Sequence, residues 1–342
     1  MDRWRLRLGH RSDRLATVDG LSHHPRGGPV KDRRPTRAPE PTRRTVLRLG
    51  LAAAPVAAAA GGLLTSSPAA ARTVSGRPPQ AGAVVDSAVL ELERTHDVTL
   101  GLSATNLATG VRLAHRPDER FAILSVFKTL LAAAVLDRAD EKRLRHRVWY
   151  PPADVVVNSP VTAEHIDTGI TIAELCDAAL RYSDNTAANL LLREIGGPRG
   201  LTAYARSIGD RVTRLDRWEP ELNAAVPGDV RDTTTAAAVA RSFENLLVGR
   251  ALRPADRRRL TGWMLANTTS AARFRAGLPG GWKLADKTGA GDYGTNNDAG
   301  VAWNPAGEPI VIVALTRRNR VDAPKVDAAL ADAARLVAQR LG

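Results

Sequence analysis

Strand-forming runs sit at the two ends of this 342-residue chain, with a long helical stretch between them, and that order excludes most folds. Residues 98–105 and 111–115 flank Ala108-Thr109-Gly110 and predict a hairpin. Just ahead, residues 83–95 set Val84, Val85, Ala88, Val89, Leu90 and Leu92 on one helical face. Residues 126–139, 172–182, 186–195, 201–208 and 233–247 then read as helices, and 255–266 adds another. Strands return at 282–287, 295–303 and 310–317 before a closing helix over 323–341. The order reads as an α+β fold with one sheet built from both chain ends and a helical half inserted. The two halves are an α/β half over about 80–122 and 260–342 and an all-helical half over about 123–259.

A formal net charge of +13 first suggests a nucleic-acid or membrane binder. Its distribution argues otherwise. Residues 1–71 hold 13 Lys/Arg against 5 Asp/Glu, and the rest hold 36 against 31, so the body is only mildly basic. With 43 Arg to 6 Lys beside abundant alanine, the balance reads as the codon bias of a GC-rich genome, and no nucleic-acid partner is expected. Arg43-Arg44, a weakly apolar run over 49–64 and Ala69-Ala70-Ala71 follow the charged, apolar, small-residue order of a signal peptide. The paired arginines and Pro55 favour the twin-arginine export machinery, which carries folded proteins. The run falls short of the roughly 20 apolar residues a spanning helix needs. The expectation is a secreted monomer with no stable membrane anchor, residues 1–71 being a targeting region and 72–342 a catalytic domain. Cys176 is the single cysteine and reads as a buried structural thiol. His96, His115, His146 and His165 stand apart from one another, so neither a metal nor another cofactor is expected.

Ser125-Val126-Phe127-Lys128 puts a hydroxyl and an amine three positions apart, on one helical face, where the amine can activate the hydroxyl. Alone the spacing is weak evidence. Ser183-Asp184-Asn185 follows a predicted helix end, and plain capping of the next helix explains it as readily. Lys287-Thr288-Gly289 ends a strand run, where Gly289, Gly291 and Gly294 would let a backbone or a ligand come close to an edge strand. The bland alternative is a glycine-rich turn with an exposed lysine.

In this order the three motifs resemble the signature of the penicillin-recognising serine enzymes. Arg217-Trp218-Glu219-Pro220-Glu221-Leu222-Asn223 resembles the omega loop of class A β-lactamases, and the resemblance spans about residues 80–340. It implies an α-β-α sandwich with a five-stranded antiparallel sheet. It also implies that a β-lactam is the substrate. Ser125 would be the nucleophile, Lys128 its base or proton shuttle, and Ser183 the relay to the departing nitrogen. The backbone N–H groups of Ser125 and Ala290 would hold the oxyanion. Lys287, Thr288 and Arg273 would bind the substrate carboxylate and Asn185 its side-chain amide, with Gly289 also in the substrate site. Glu219 would activate the deacylating water with help from Asn223, in a loop closed by an Arg217–Asp232 ion pair. Tyr150, upstream of Ser159-Pro160-Val161-Thr162, resembles the family's tyrosine at the cleft mouth. Leu124 and Gly291 stand where some carbapenem-hydrolysing relatives carry a cysteine pair. Two other readings stay open: a penicillin-binding DD-peptidase, which lacks the water-activating glutamate, and a non-catalytic β-lactam sensor.

Overall fold

The computed structural model describes residues 87–342. The targeting-region reading of 1–71 and the start of the 83–95 helix lie outside those residues.

The predicted hairpin and the three late strands join into one antiparallel sheet. Helix α1 (Ser87–His96) leads into β1 (Thr99–Asn106) and β2 (Arg112–His115). After β3 (Arg120–Ala122) come helices α2 (Phe127–Arg138) and α3 (Glu141–Leu144), the short pair β4 (Arg147–Val148) and β5 (Ile170–Thr171), then α4 (Ile172–Arg181), α5 (Asn185–Ile195) and α6 (Gly197–Ser207). The chain continues through β6 (Thr233–Thr235), α7 (Ala236–Phe243), α8 (Pro254–Leu265) and α9 (Phe274–Gly277). It ends with β7 (Lys283–Ala290), β8 (Asn296–Trp303), β9 (Pro309–Arg317) and α10 (Asp327–Leu341). The sheet order is β2-β1-β9-β8-β7, so β9 inserts beside the N-terminal hairpin, with Leu102 opposite Ala314.

Successive side chains of β9 point to opposite faces of the sheet, as the pleat requires. Ile310, Ile312 and Ala314 pack with Leu100 and Leu102 against Val89 of α1 and Leu330, Ala334 and Val337 of α10. Val311, Val313 and Leu315 turn to the other face and join the core of the helical half. The axis of that half is α2, buried continuously from Phe127 to Leu136 and touching α4, α5, α6 and α8. A helix apolar on every side belongs in a core. Its Ala132-Ala133-Ala134 run lets those neighbours approach closely.

Three local predictions needed correction. Residues 233–235 are a strand, β6, paired with β3; the β-branched threonines favour extension, and Thr235 caps the helix that begins only at Ala236. The strand expected over 282–287 runs on through Gly289 to Ala290. The closing helix starts at Asp327, not at 323.

Candidate active site

Ser125 occupies a 3-10 turn, Leu124–Val126, that feeds directly into α2. Leu124 adopts φ +51°, a left-handed conformation costly for a branched side chain and tolerable only where the surroundings enforce it. Two neighbours do so. The Asn297 side chain on β8 donates to the Ala122 carbonyl at 2.9 Å and to that of Ile123 at 3.3 Å. Strand β7 packs on the turn at Gly289, where a Cβ would lie 2.7 Å from Leu124 Cβ and 3.3 Å from the Ser125 nitrogen. Glycine is therefore the residue that lets the end of β7, with Ala290, approach the Ser125 backbone.

Lys128 and Lys287 are both fully buried, one near the start of α2 and one on β7. The Lys128 ammonium donates to Asn185 Oδ1 at 2.7 Å, to the Ser183 carbonyl at 2.8 Å and to Ser183 Oγ at 3.4 Å, and lies 3.0 Å from Glu219 Oε1. Lys287 Nζ reaches the same Ser183 Oγ at 3.1 Å and the Thr288 carbonyl at 3.0 Å. The Ser183 hydroxyl thus sits between two amines. Burial holds Lys128 below the ordinary lysine range, while the Glu219 carboxylate pulls the other way. Burial, and then the charge of Lys128, push Lys287 further down.

In the second motif, capping by Asp184 coexists with contacts of Ser183 and Asn185 to Lys128. Asp184 caps α5 by accepting from the Ala187 N–H at 2.8 Å, and its carboxylate also takes the N–H groups of Val161 and Thr162. Those bonds, with Ser183 at φ +59°, leave Ser183 and Asn185 facing Lys128.

Glu219 is 2 % exposed, and its Oε1 lies 3.5 Å from Ser125 Oγ. Asn189 clamps the glutamate's backbone, donating to its carbonyl at 2.8 Å and accepting its N–H at 3.0 Å. Asn223 donates to Oε2 at 2.5 Å. Behind them Asp232 accepts from Arg217 Nε at 2.6 Å and from the N–H groups of Asp216 and Arg217 at 2.7 and 2.9 Å. The Asp232 side chain is 1 % exposed, so this ion pair is largely shielded from water, where exposed pairs contribute little.

Arg273 meets the end of β7 from the side. Its Nη1 donates to the Gly289 carbonyl at 3.1 Å and to that of Asn297 at 3.2 Å, and its Nε pairs with Asp327. The Thr288 hydroxyl bonds that of Thr269.

Tyr150 stands apart from this group. Its ring belongs to the helical core, its hydroxyl donates to the Thr162 carbonyl at 2.7 Å, and burial pushes its pKa up to about 12. A hydroxyl already committed in the core cannot line the cleft mouth; the exposed side chain that bonds the Ser183 carbonyl is that of Asn158, at 3.2 Å. Sequence reasoning also missed Asn189, although its position one turn beyond Asn185 on α5 signalled a shared face. Beneath Lys287 and Thr288, the buried Asp286 binds Arg275 at 2.9 Å and Asn267 at 2.8 Å. Burial, then the charge of Asp286, raise Asp298 well above the carboxylate range. Cys176 is buried, and burial pushes its thiol upward.

Among the described residues, no cluster of three or more His, Cys, Asp or Glu could hold a metal, and no helix is long and apolar enough to cross a membrane.

A nucleophile, two amines bridged by a hydroxyl, and a clamped carboxylate suit acyl transfer followed by hydrolysis. The model of the β-lactamase enzyme family matches residues 85–341. A β-lactamase of Streptomyces fradiae is 52% identical over 309 residues, covering 88% of this chain and 97% of the relative. One of Mycobacterium tuberculosis is 48% identical over 279 residues, covering 78% and 91%. The solved β-lactamase of Streptomyces albus G superposes with a TM-score of 0.74 at 51% identity, covering 75% of this chain and 100% of that one. An ancestral class A β-lactamase superposes at 0.72 and 52% identity, covering 75% and 99%. With the fold, the ordered motifs and these likenesses in agreement, the chain belongs to the class A β-lactamases.

Proposed function

We propose that this enzyme hydrolyses β-lactam antibiotics through an acyl-enzyme on Ser125, and that Glu219 completes the cycle. The observation that carries this reading is the buried Glu219 carboxylate, 3.5 Å from Ser125 Oγ and held by Asn189 and Asn223. Ser125 attacks the lactam carbonyl, and its proton passes to Lys128 or Glu219. The lowered proton affinity of Lys128 makes a neutral amine accessible in the cleft. The breaking C–N bond leaves a nitrogen that takes its proton from Ser183, which Lys128 or Lys287 re-protonates across 3.4 and 3.1 Å. The Ser125 and Ala290 N–H groups hold the oxyanion, a role whose loss costs about 10²–10³ in rate. Lys287, Thr288 and Arg273 bind the substrate carboxylate, Asn185 its amide, and Gly289 lies in the same substrate site. Glu219 then takes a proton from a water that attacks the ester, which releases Ser125.

The DD-peptidase and sensor readings are disfavoured because neither gives the clamped glutamate a task. Turnover of nitrocefin by the purified chain separates them: many turnovers are expected, while one stoichiometric burst followed by silence would point to a peptidase or a sensor. The division at residue 71, the helical half over about 123–259 and the monomeric state are part of this proposal, as is secretion by the twin-arginine route. Arg43-Arg44 and the short alanine-rich run support that route. Replacing both arginines with lysine is expected to block export; unchanged export would assign the leader to the general secretory route.

A further inference from the structure

Five arginines line a single cavity of about 430 Å³ that includes none of Ser125, Lys128, Ser183, Glu219 and Lys287. They are Arg120, Arg199, Arg206, Arg211 and Arg214, and among the described residues Asp216 is the only carboxylate on the wall. Asp216 is already taken by Arg214, with contacts of 2.9 and 2.6 Å, so four guanidinium charges on the wall have no carboxylate there. Two of these four are fixed in place by neutral acceptors. Arg206 Nη1 donates to the carbonyls of Asp210 and Thr213 at 2.5 and 2.7 Å, and Arg120 Nη1 donates to Thr233 Oγ1 at 2.9 Å and the Val212 carbonyl at 3.4 Å. Such bonds order a guanidinium without neutralising it, and its remaining N–H groups stay available. Arg199 and Arg211 are exposed and have no ion pair among the described residues.

Like charges converging on one concavity repel each other and lower the cost of admitting anions. Because two of the cations are already ordered, a ligand there loses less entropy on binding. A monovalent carboxylate would leave most of that charge unanswered. A short chain of phosphates carries several charges and many acceptor oxygens on a flexible spine, which matches several planar donor forks around one hollow.

We propose that this cavity is a binding site for a small multivalent phosphate anion, separate from the β-lactam cleft. One wall is the segment from Arg214 to Asp216, three residues ahead of Glu219, and Asp216 Oδ2 also accepts the Asp232 N–H at 3.0 Å. Occupancy would therefore brace the base of the omega loop, and a ligand that binds only the folded chain raises its melting temperature.

The test is calorimetric titration of the purified full chain with tripolyphosphate at low and physiological salt, together with thermal melts. Saturable one-to-one binding that weakens with salt is expected, because a Debye length of about 10 Å at 0.1 M leaves such charges partly screened. The Arg199→Ala/Arg211→Ala chain should bind about tenfold more weakly, having lost two charge-assisted contacts, while turning over nitrocefin as before. Arg199→Lys/Arg211→Lys should recover part of the affinity. The control, Arg241→Ala/Arg250→Ala, removes the same charge from exposed positions outside the cavity and should bind normally. No saturable binding at low salt would overturn the proposal. So would equal losses in the cavity and control variants, or equally tight binding of a single-stranded oligonucleotide, either of which would mark a merely basic surface.

Discussion

Replacing Glu219 with glutamine should separate the two halves of the proposed reaction, because the structure holds the residue by its backbone. Asn189 bonds the main-chain N–H and carbonyl of residue 219, so Glu219→Gln keeps the loop in place. The side chain is where the change is felt. Lys128 and Asn223 each donate to a different carboxylate oxygen. Glutamine offers one acceptor oxygen, so one of the two donors meets an NH₂ group instead, a loss of about 1–3 kcal/mol. Lys128 can remove that conflict by giving up its proton. Its proton affinity is already lowered by burial, and the carboxylate that opposed this is gone. A neutral Lys128 is a competent base for Ser125, so acylation should survive. Deacylation should not, since a general base contributes about 10²–10⁴ in rate. Mixed with penicillin, the variant should carry a stable adduct in intact mass spectra within seconds and turn over about 10²–10⁴-fold more slowly than the parent. A variant that never acquires the adduct would show that Glu219 is needed for acylation as well. A variant that turns over at the parental rate would remove it from the mechanism.

The remaining predictions concern charges in and around the site. Asp232→Ala strips three donors of their acceptor and leaves Arg217 with Asp229 alone, 3.7 Å away, so a loss of about 1–3 kcal/mol is expected in denaturant melts, with acyl-enzyme accumulating as the omega loop loosens. An unchanged midpoint would show that the pair carries no load. Lys287→Met should abolish turnover yet raise the melting temperature at pH 7. A buried lysine with a depressed pKa binds fewer protons than its unfolded counterpart, so it lowers stability at pH values below 10.5, and methionine removes that penalty. A lower melting temperature would instead assign Lys287 a net structural role. Asp298→Asn should leave melts at acid pH unchanged and improve them at alkaline pH. The raised pKa of Asp298, set among Asp286, Arg273 and the Phe274 N–H, gives stability that is present below 3.8 and lost as pH rises through the folded value. Equal melting curves for both proteins across pH 5–10 would refute the assignment.

Much of the site was legible because its chemistry is written in short linear motifs. Ser125 and Lys128 lie three residues apart, Glu219 and Asn223 four, and Lys287 to Gly289 run consecutively; each set alone had an ordinary explanation, and their order, with the family resemblance it carries, gave them their expected roles. The strands were legible as short apolar runs between turn residues, whereas the five-stranded sheet followed from the family resemblance, because pairing β1 with β9 requires the chain to return. What the sequence hid are contacts whose partners lie far apart and whose residue types are ordinary. Asn189 looks like any polar residue on a helix until Glu219 arrives against it. Asn297 looks like a strand residue until it bonds the carbonyls before Ser125. Tyr150 misled because a tyrosine near a predicted cleft can serve a core or a mouth equally well, and only the Thr162 carbonyl decides which. Residues 233–235 misled because three threonines are too short a run to break a helical period by eye, although β-branching favours a strand.

The electrostatics of the cleft tie these hidden contacts to the reaction. Two buried lysines converge on one hydroxyl, and Glu219 is the one carboxylate in direct contact with either of them among the described residues. In a low-dielectric site such an excess of positive charge either drives protons off the amines or draws in an anion. Burial, and for Lys287 the charge of Lys128, lower the proton affinity of both amines. In the proposed mechanism a substrate carboxylate arriving at Lys287 and Thr288 would supply the missing charge and favour a protonated Lys287. Ser183 would then have a proton source 3.1 Å away when the lactam nitrogen departs. Binding and proton supply would in this way be one event. A substrate analogue without the carboxylate should therefore show a lower kcat as well as a higher KM, because it would no longer favour the protonated Lys287 from which Ser183 draws its proton.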